Sequence, residues 1–380
     1  MRSAHQVISW SFLMASINGV IAGFDANTKS NIAIYWGQNS YGQGSGDLAQ
    51  QRLSYYCASE FLLVTGMVRQ HRHRRKVSSR YFSPPPQLTV IPLAFLTVIN
   101  GVGGQPEINF ANQGNGCSTF NGTALLDCPN IAEDIATCQN TYSKTVLLSV
   151  GGATYSEGGF TSSSAAIAAA DLIWATFGPQ QSDSNAFRPF GSSSVDGFDF
   201  DFEAGVSNMV PFANQLRSLM DAATASSGKM YLLTAAPQCP YPDYADNDML
   251  NGAVSFDAIF VQFYNNYCGV SSYVAGSSTQ NNFNFDTWDN WAKTVSKNTN
   301  VKVLLGVPAN TGAGAGYVSA NTLNSVISYC TQFSSFGGVM MWDASQAWAN
   351  SGFVGGVSGD LSAATKRAMR RGWRSVTALV

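Results

Sequence analysis

Eight short apolar runs, five to eight residues long, recur along the chain and limit its folding options more than any other feature: Ile32 to Trp36, Val90 to Leu96, Val146 to Val150, Val195 to Phe202, Tyr231 to Ala235, Ala258 to Tyr264, Val303 to Val307 and Gly338 to Trp342. Most are continuous rather than alternating, as strands buried on both faces are, and the stretches between them suit strand-helix-strand crossovers. Eight such units predict an α/β fold, a single (β/α)8 TIM barrel with a parallel eight-stranded core, over residues 31–356. In such a barrel the active site lies at the C-terminal rim of the strands. Polar and aromatic residues gather where these runs end, among them Tyr35, Gln38, Gly152, Glu203, Gln238, Gln262, Tyr264, Asn265 and Trp342.

No apolar run reaches the roughly 18 residues of a membrane span, and no solenoid or heptad period repeats. Of the 21 Lys and Arg, six fall between Arg69 and Arg80 and five between Lys366 and Arg374, leaving 10 basic against 23 acidic residues elsewhere. An acidic body of this kind repels a phosphate backbone, so nucleic acid is not an expected partner. Residues 1–22 have an early Arg2, an apolar stretch and a small-residue triplet Val20-Ile21-Ala22, which is signal-peptide grammar and predicts a secreted protein, extracellular or associated with the cell wall. Seven cysteines in a secreted chain allow three disulfides and one left over. Zinc is not expected, since the cysteines form no C-x-x-C pair. The sequon Asn121-Gly122-Thr123 predicts N-glycosylation at Asn121, in the loop bounded by Cys117 and Cys128.

Two segments depart from the barrel pattern. Residues 58–87 contain HRHRRK and PPP and fill a helix-to-strand link that usually takes about 2–6 residues. They read as a disordered loop, a basic docking patch or an artefact of gene prediction, and in each case belong on the face opposite catalysis. Residues 357–380 form a basic tail, read as a dispensable amphipathic helix or a second artefact.

The sharpest chemical signal is DGFDFDFE, Asp196 to Glu203. Period-two geometry turns Asp199, Asp201 and Glu203 to one face of a strand, and Phe198, Phe200 and Phe202 to the other. The phenylalanines pack on helices, so the acids face the barrel interior. Three successive inward acids are costly to bury, and a bound hard metal or shared protons would each relieve the cost. Acid catalysis is the favoured reading, because clustered carboxylates raise one another's pKa and keep a glutamate protonated long enough to donate.

The motif D-x-x-D-x-D-x-E resembles the fourth-strand signature of glycoside hydrolase family 18. The rest of the chain is similar to the class III, hevamine-like chitinases of plants and fungi. Supporting stretches are IAIYWGQN (32–39), SVGG (149–152), LTAAPQCP (233–240), VQFYNN (261–266) and GGVMMW (337–342), in the family's order over roughly residues 31–356. This resemblance implies an endochitinase that cuts β-1,4 N-acetylglucosamine linkages with retention, the substrate's own acetamido oxygen acting as nucleophile. Glu203 would be the acid and then the base. Asp201 would orient the acetamido group and stabilise the oxazolinium ion, Asp199 and Asp196 would support Asp201, and Tyr264 would donate to the acetamido carbonyl.

Trp342 would form the floor beneath the sugar. Tyr35, Gln38 and Gln262 would line the cleft, with Phe95, Asn109 and Gly152 as further candidates. The resemblance also implies disulfides Cys57–Cys138, Cys117–Cys128 and Cys239–Cys268, with Cys330 free. It implies no metal or other cofactor, chitin or chitooligosaccharides as partners, and a monomer. The alternatives are an endo-β-N-acetylglucosaminidase acting on N-glycans and a chitin-binding lectin without hydrolysis.

Overall fold

The computed structural model describes residues 23–45, 50–58 and 88–377. The expected signal peptide and all but the first residue of the basic insertion lie outside these residues. The strands are β1 (Asn31–Ile34), β2 (Val90–Val98), β3 (Thr145–Gly151), β4 (Gly197–Asp201), β5 (Leu232–Ala235), β6 (Ala258–Gln262), β7 (Lys302–Pro308) and β8 (Phe336–Trp342). All eight apolar runs are therefore strands, with ends differing from expectation by a few residues. They pair in parallel in sequence order from β2 to β8, β8 pairs with β1, and Ala33 opposite Val90 joins β1 back to β2 to close the barrel.

Two apolar clusters account for the continuous hydrophobic character of the strands. One fills the barrel interior with Ala33, Val90, Leu147, Phe260, Leu304 and Met340, and the other packs the outward faces against the helices. On β4 the outward positions are the phenylalanines. Phe198 lies 6.3 Å from Trp174 on helix Ser163–Phe177, and Phe200 lies 5.9 Å from Phe212 on helix Met209–Ser227. Its inward positions are Gly197, Asp199 and Asp201, so this strand contributes acids where its neighbours contribute apolar layers. Gly197 is fixed by geometry, since at φ +147° a Cβ there would sit 1.9 Å from the Leu232 carbonyl oxygen.

The three disulfides pair as the resemblance implied: Cys57–Cys138, Cys117–Cys128 and Cys239–Cys268, with Cys330 free and buried. Strands Ser118–Thr119 and Leu126–Asp127 form a small antiparallel pair inside the second loop, and Asn121 is exposed in the turn between them. No helix among the described residues is long and apolar enough to cross a membrane.

The boundary expected at residue 356 falls inside a helix. Phe353–Thr377 is one continuous helix, and it buries Phe353, Val357, Leu361 and Ala364 at a spacing that puts them on one face. It packs against helix Ala320–Cys330, so its first half is an integral part of the barrel's outer layer.

Candidate active site

The site grows from the register of three strands. Asp199 on β4 stands opposite Ser149 on β3 and Thr234 on β5, which turns all three side chains into the barrel at one level. The Asp199 carboxylate accepts three hydroxyl hydrogen bonds: Tyr35 at 2.6 Å and Ser149 at 2.7 Å on Oδ2, and Thr234 at 2.6 Å on Oδ1. Burial raises its pKa, and those three donors pull it back. Both oxygens are taken by hydroxyls, which offset part of the cost of burying this acid.

One level up, Asp201 Oδ1 accepts a 2.9 Å hydrogen bond from Gln262 Nε2, which also donates to the Ala236 carbonyl at 2.9 Å. Burial pushes the Asp201 carboxyl well above the carboxylate range, and the charges of Glu203, Asp199 and Asp243 push it further. Both Asp199 and Asp201 are thus shifted toward the protonated form, Asp201 more strongly. Glu203 lies just past the strand at the rim, where partial burial also raises its pKa. Tyr264 is buried beside both acids. Its phenol is pushed far up by that burial and by the charges of Asp201 and Glu203, and it stays protonated as a donor.

Asp201, Glu203, Gln262, Tyr264, Trp342, Phe95 and Gln38 line one cleft of about 350 Å³ at the C-terminal rim. Trp342 stacks on Phe95 with ring centroids 5.7 Å apart and planes 17° apart. Gln38 Nε2 donates to the carbonyls of Ala94 and Asn109, fixing the first loop against β2.

Four expected residues sit elsewhere. Tyr35 lies below the cleft floor, its ring 5.5 Å from that of Trp342 and its hydroxyl on Asp199. Asn109 turns its side chain onto the Ala111 amide and offers the site only its backbone carbonyl, which holds Gln38. Gly152 is a clearance: at φ +80° a Cβ there would meet the Phe95 ring at 2.6 Å. Asp196 does not support Asp201. It is at the opposite end of the barrel, where Oδ2 accepts from the Val146 amide at 2.7 Å and Oδ1 pairs with Lys229 Nζ at 2.6 Å. Conversely, Ser40, Gln43, Thr154 and Asn266 line the cleft without having been expected there. Thr154 and Asn266 lie within four residues after a barrel strand, which is the signal that could have found them, whereas Ser40 and Gln43 come from the helix Ser40–Ser45 that follows β1.

A second buried acid flanks the site. Asp246 is fully buried, and neither carboxyl oxygen has a hydrogen-bond partner among the described residues. Burial, then the charges of Asp243, Asp201 and Asp199, hold its pKa well above the ordinary carboxylate value. The folded state thus keeps a proton that the unfolded chain releases near pH 4. Stability is fully present below that pH and declines as pH rises toward the folded value. Asp246→Asn removes the decline. It is expected to raise stability at pH 7 by on the order of 1–3 kcal/mol and to leave it unchanged near pH 4, as read by thermal melts at the two pH values. A gain of equal size at both would show that the proton is not involved.

A carboxyl of raised pKa at the mouth of a barrel cleft, a second, more deeply buried acid behind it and an aromatic floor together define a glycosidase-type site on a (β/α)8 barrel. The chain belongs to Glycosyl hydrolases family 18, which it matches over residues 64–321. It is 48% identical to the "Class III chitinase" of Arthroderma benhamiae, over 97% of each chain. It is also 48% identical to "Endochitinase 33" of Trichoderma harzianum, over 90% of this chain and 94% of the other. Among solved structures it resembles the ICChI chitinase of Ipomoea carnea, with 26% identity and a TM-score of 0.62 over 87% of this chain and 99% of that one. A xylanase and α-amylase inhibitor protein from Scadoxus multiflorus is as similar in fold, at 27% identity and TM-score 0.62 over 87% and 98%.

Proposed function

We propose that the protein is a secreted endochitinase that hydrolyses β-1,4 N-acetylglucosamine linkages with retention, the substrate's acetamido oxygen serving as nucleophile. The observation that carries this reading is the convergence of buried Asp201, Glu203 and Tyr264 in one cleft, with Asp201 held by Gln262 and Asp199 behind it saturated by hydroxyls. Glu203 donates its proton to the glycosidic oxygen as the acetamido oxygen closes on the anomeric carbon, and then takes a proton from the water that opens the ring. Tyr264 donates to the acetamido carbonyl and aligns it for attack. As positive charge grows on the oxazolinium ion, Asp201 passes its proton toward Asp199 and meets the ion as a carboxylate.

Asp199 can take that proton because its partners are hydroxyls, which rotate from donor to acceptor as a backbone amide cannot. Trp342 supplies the apolar face against which the sugar ring seats.

Glu203, Asp201 and Tyr264 together favour hydrolysis over sugar binding alone. The three disulfides fit an oxidising compartment, and the exposed Asn121 suits an N-glycan. The likeness to the fungal chitinases favours chitin over N-glycans as substrate, and the protein would act as a monomer without a cofactor. Early-time NMR of N-acetylglucosamine hexamer digests tests the proposal. The product anomer is expected to be β, and an initial α product would rule out the retaining route. Release of N-glycans from a high-mannose glycoprotein, with no cleavage of the hexamer, would move the assignment to an endo-β-N-acetylglucosaminidase.

A further inference from the structure

The catalytic ladder leaves Tyr244 without an explanation. Its side chain is 85% exposed, although its chain neighbours Asp243, Ala245 and Asp246 are all buried. Asp243 fixes this turn: Oδ2 accepts from the Gln238 amide at 3.0 Å, and Oδ1 accepts from the amides of Ala245 at 2.9 Å and Asp246 at 2.6 Å. Gln238 itself lines the cleft and accepts from Asn266 Nδ2 at 3.0 Å. Tyr244 is thus an aromatic ring held out into solvent by a backbone pinned to the cleft wall. Folding gains nothing from its exposure, whereas a rigid ring binds an incoming flat face at little cost in conformational entropy.

Its position says which part of a substrate it would meet. Tyr244 follows β5, the strand next to β4, whereas Trp342 ends β8, which stands across the eight-stranded barrel from β4 and three strands from β5. The Tyr244 ring packs beside Gly205, two residues after Glu203, so closely that a Cβ at Gly205 would lie 3.3 Å from the hydroxyl and 3.6 Å from the ring carbons. A general acid must stand beside the oxygen it protonates, and that oxygen belongs to the departing sugar. The leaving side of the scissile bond therefore extends past Glu203 toward Tyr244.

We infer that Tyr244 is a stacking platform for an N-acetylglucosamine unit on the leaving-group side of the scissile bond, and so a specificity-determining residue for oligomers that extend beyond it. This rests on the glycosidase reading above. Stacking on the C–H face of a pyranose needs the ring and not the phenol, which separates this role from a hydrogen-bonding one.

The test compares wild type, Tyr244→Ala and Tyr244→Phe on two substrates: N-acetylglucosamine hexamer, which places sugars on the leaving side, and chitotriosyl β-fluoride, whose leaving group is a single atom. Tyr244→Ala is expected to lower the ratio of kcat/KM on hexamer to kcat/KM on fluoride by about tenfold, the scale of one lost aromatic stack. Tyr244→Phe is expected to keep the wild-type ratio. A ratio unchanged in Tyr244→Ala, including one in which both rates fall together through a disturbed turn, overturns the inference while leaving the glycosidase reading intact. Failure of wild type on both substrates overturns that reading and this inference with it.

Discussion

Glu203→Gln is expected to lower kcat/KM on N-acetylglucosamine hexamer by about 10²–10⁴-fold, the range that a positioned general acid contributes. Glutamine keeps the shape and cannot give up a proton. Glu203 lies past the end of β4 at the rim rather than in a packed layer, so the melting temperature should hardly change. The wild-type pH profile carries the same signature. Burial raises the Glu203 pKa, so the donating form persists above the ordinary glutamic acid value of about 4.3 and is lost as pH rises through the higher one. The alkaline limb of kcat/KM should therefore lie to the neutral side of that value, and the residual activity of Glu203→Gln should lack the contribution of this group. A variant that kept the wild-type rate would remove Glu203 from the chemistry altogether.

The barrel and the inward acids were legible in the sequence because both follow from period and burial. Continuous apolar runs of five to eight residues with crossover-length spacers read as strands covered on both faces, and residues 199 and 201 share a parity along β4 that 203 continues just past its end. The same rule exposes the misreading of Asp196: it is three residues from Asp199, an odd step, and it precedes the strand. Parity therefore turns it away from Asp201, and its position puts it at the other end, where Lys229 and the Val146 amide hold it. A family motif written as a string hides that distinction.

Other features depend on packing between distant segments, which spacing does not encode. Tyr35 stands at a strand end like its neighbours, and only the stacking of Trp342 on Phe95 makes it part of the floor's underside. The Asp243 turn that holds Tyr244 out is a hydrogen-bond pattern between loop amides, invisible as a periodicity. The last helix was underestimated for another reason. Gly355, Gly356 and Gly359 lower its intrinsic propensity, and the buried stripe of Phe353, Val357, Leu361 and Ala364 overrides them through tertiary contact.

Asp201→Asn isolates the electrostatic part of the mechanism from the geometric part. An asparagine oxygen can still accept the Gln262 hydrogen bond, and an uncharged amide suits a site whose burial favours the neutral form of the acid. The fold and the ground-state complex should therefore survive, with KM changed only a few-fold. What asparagine cannot do is hand a proton down to Asp199 and acquire a negative charge as the oxazolinium ion forms. The loss should appear in kcat, by about 10²–10³-fold, the cost of removing one preorganised electrostatic partner from a developing charge. If the defect fell on KM with kcat preserved, Asp201 would be a binding residue and the proton transfer along the ladder would have to be abandoned. If kcat fell as expected while Tyr35→Phe, which removes one of the three donors on Asp199, gave a smaller loss in the same direction, the two levels of the ladder would be acting as one titrating unit.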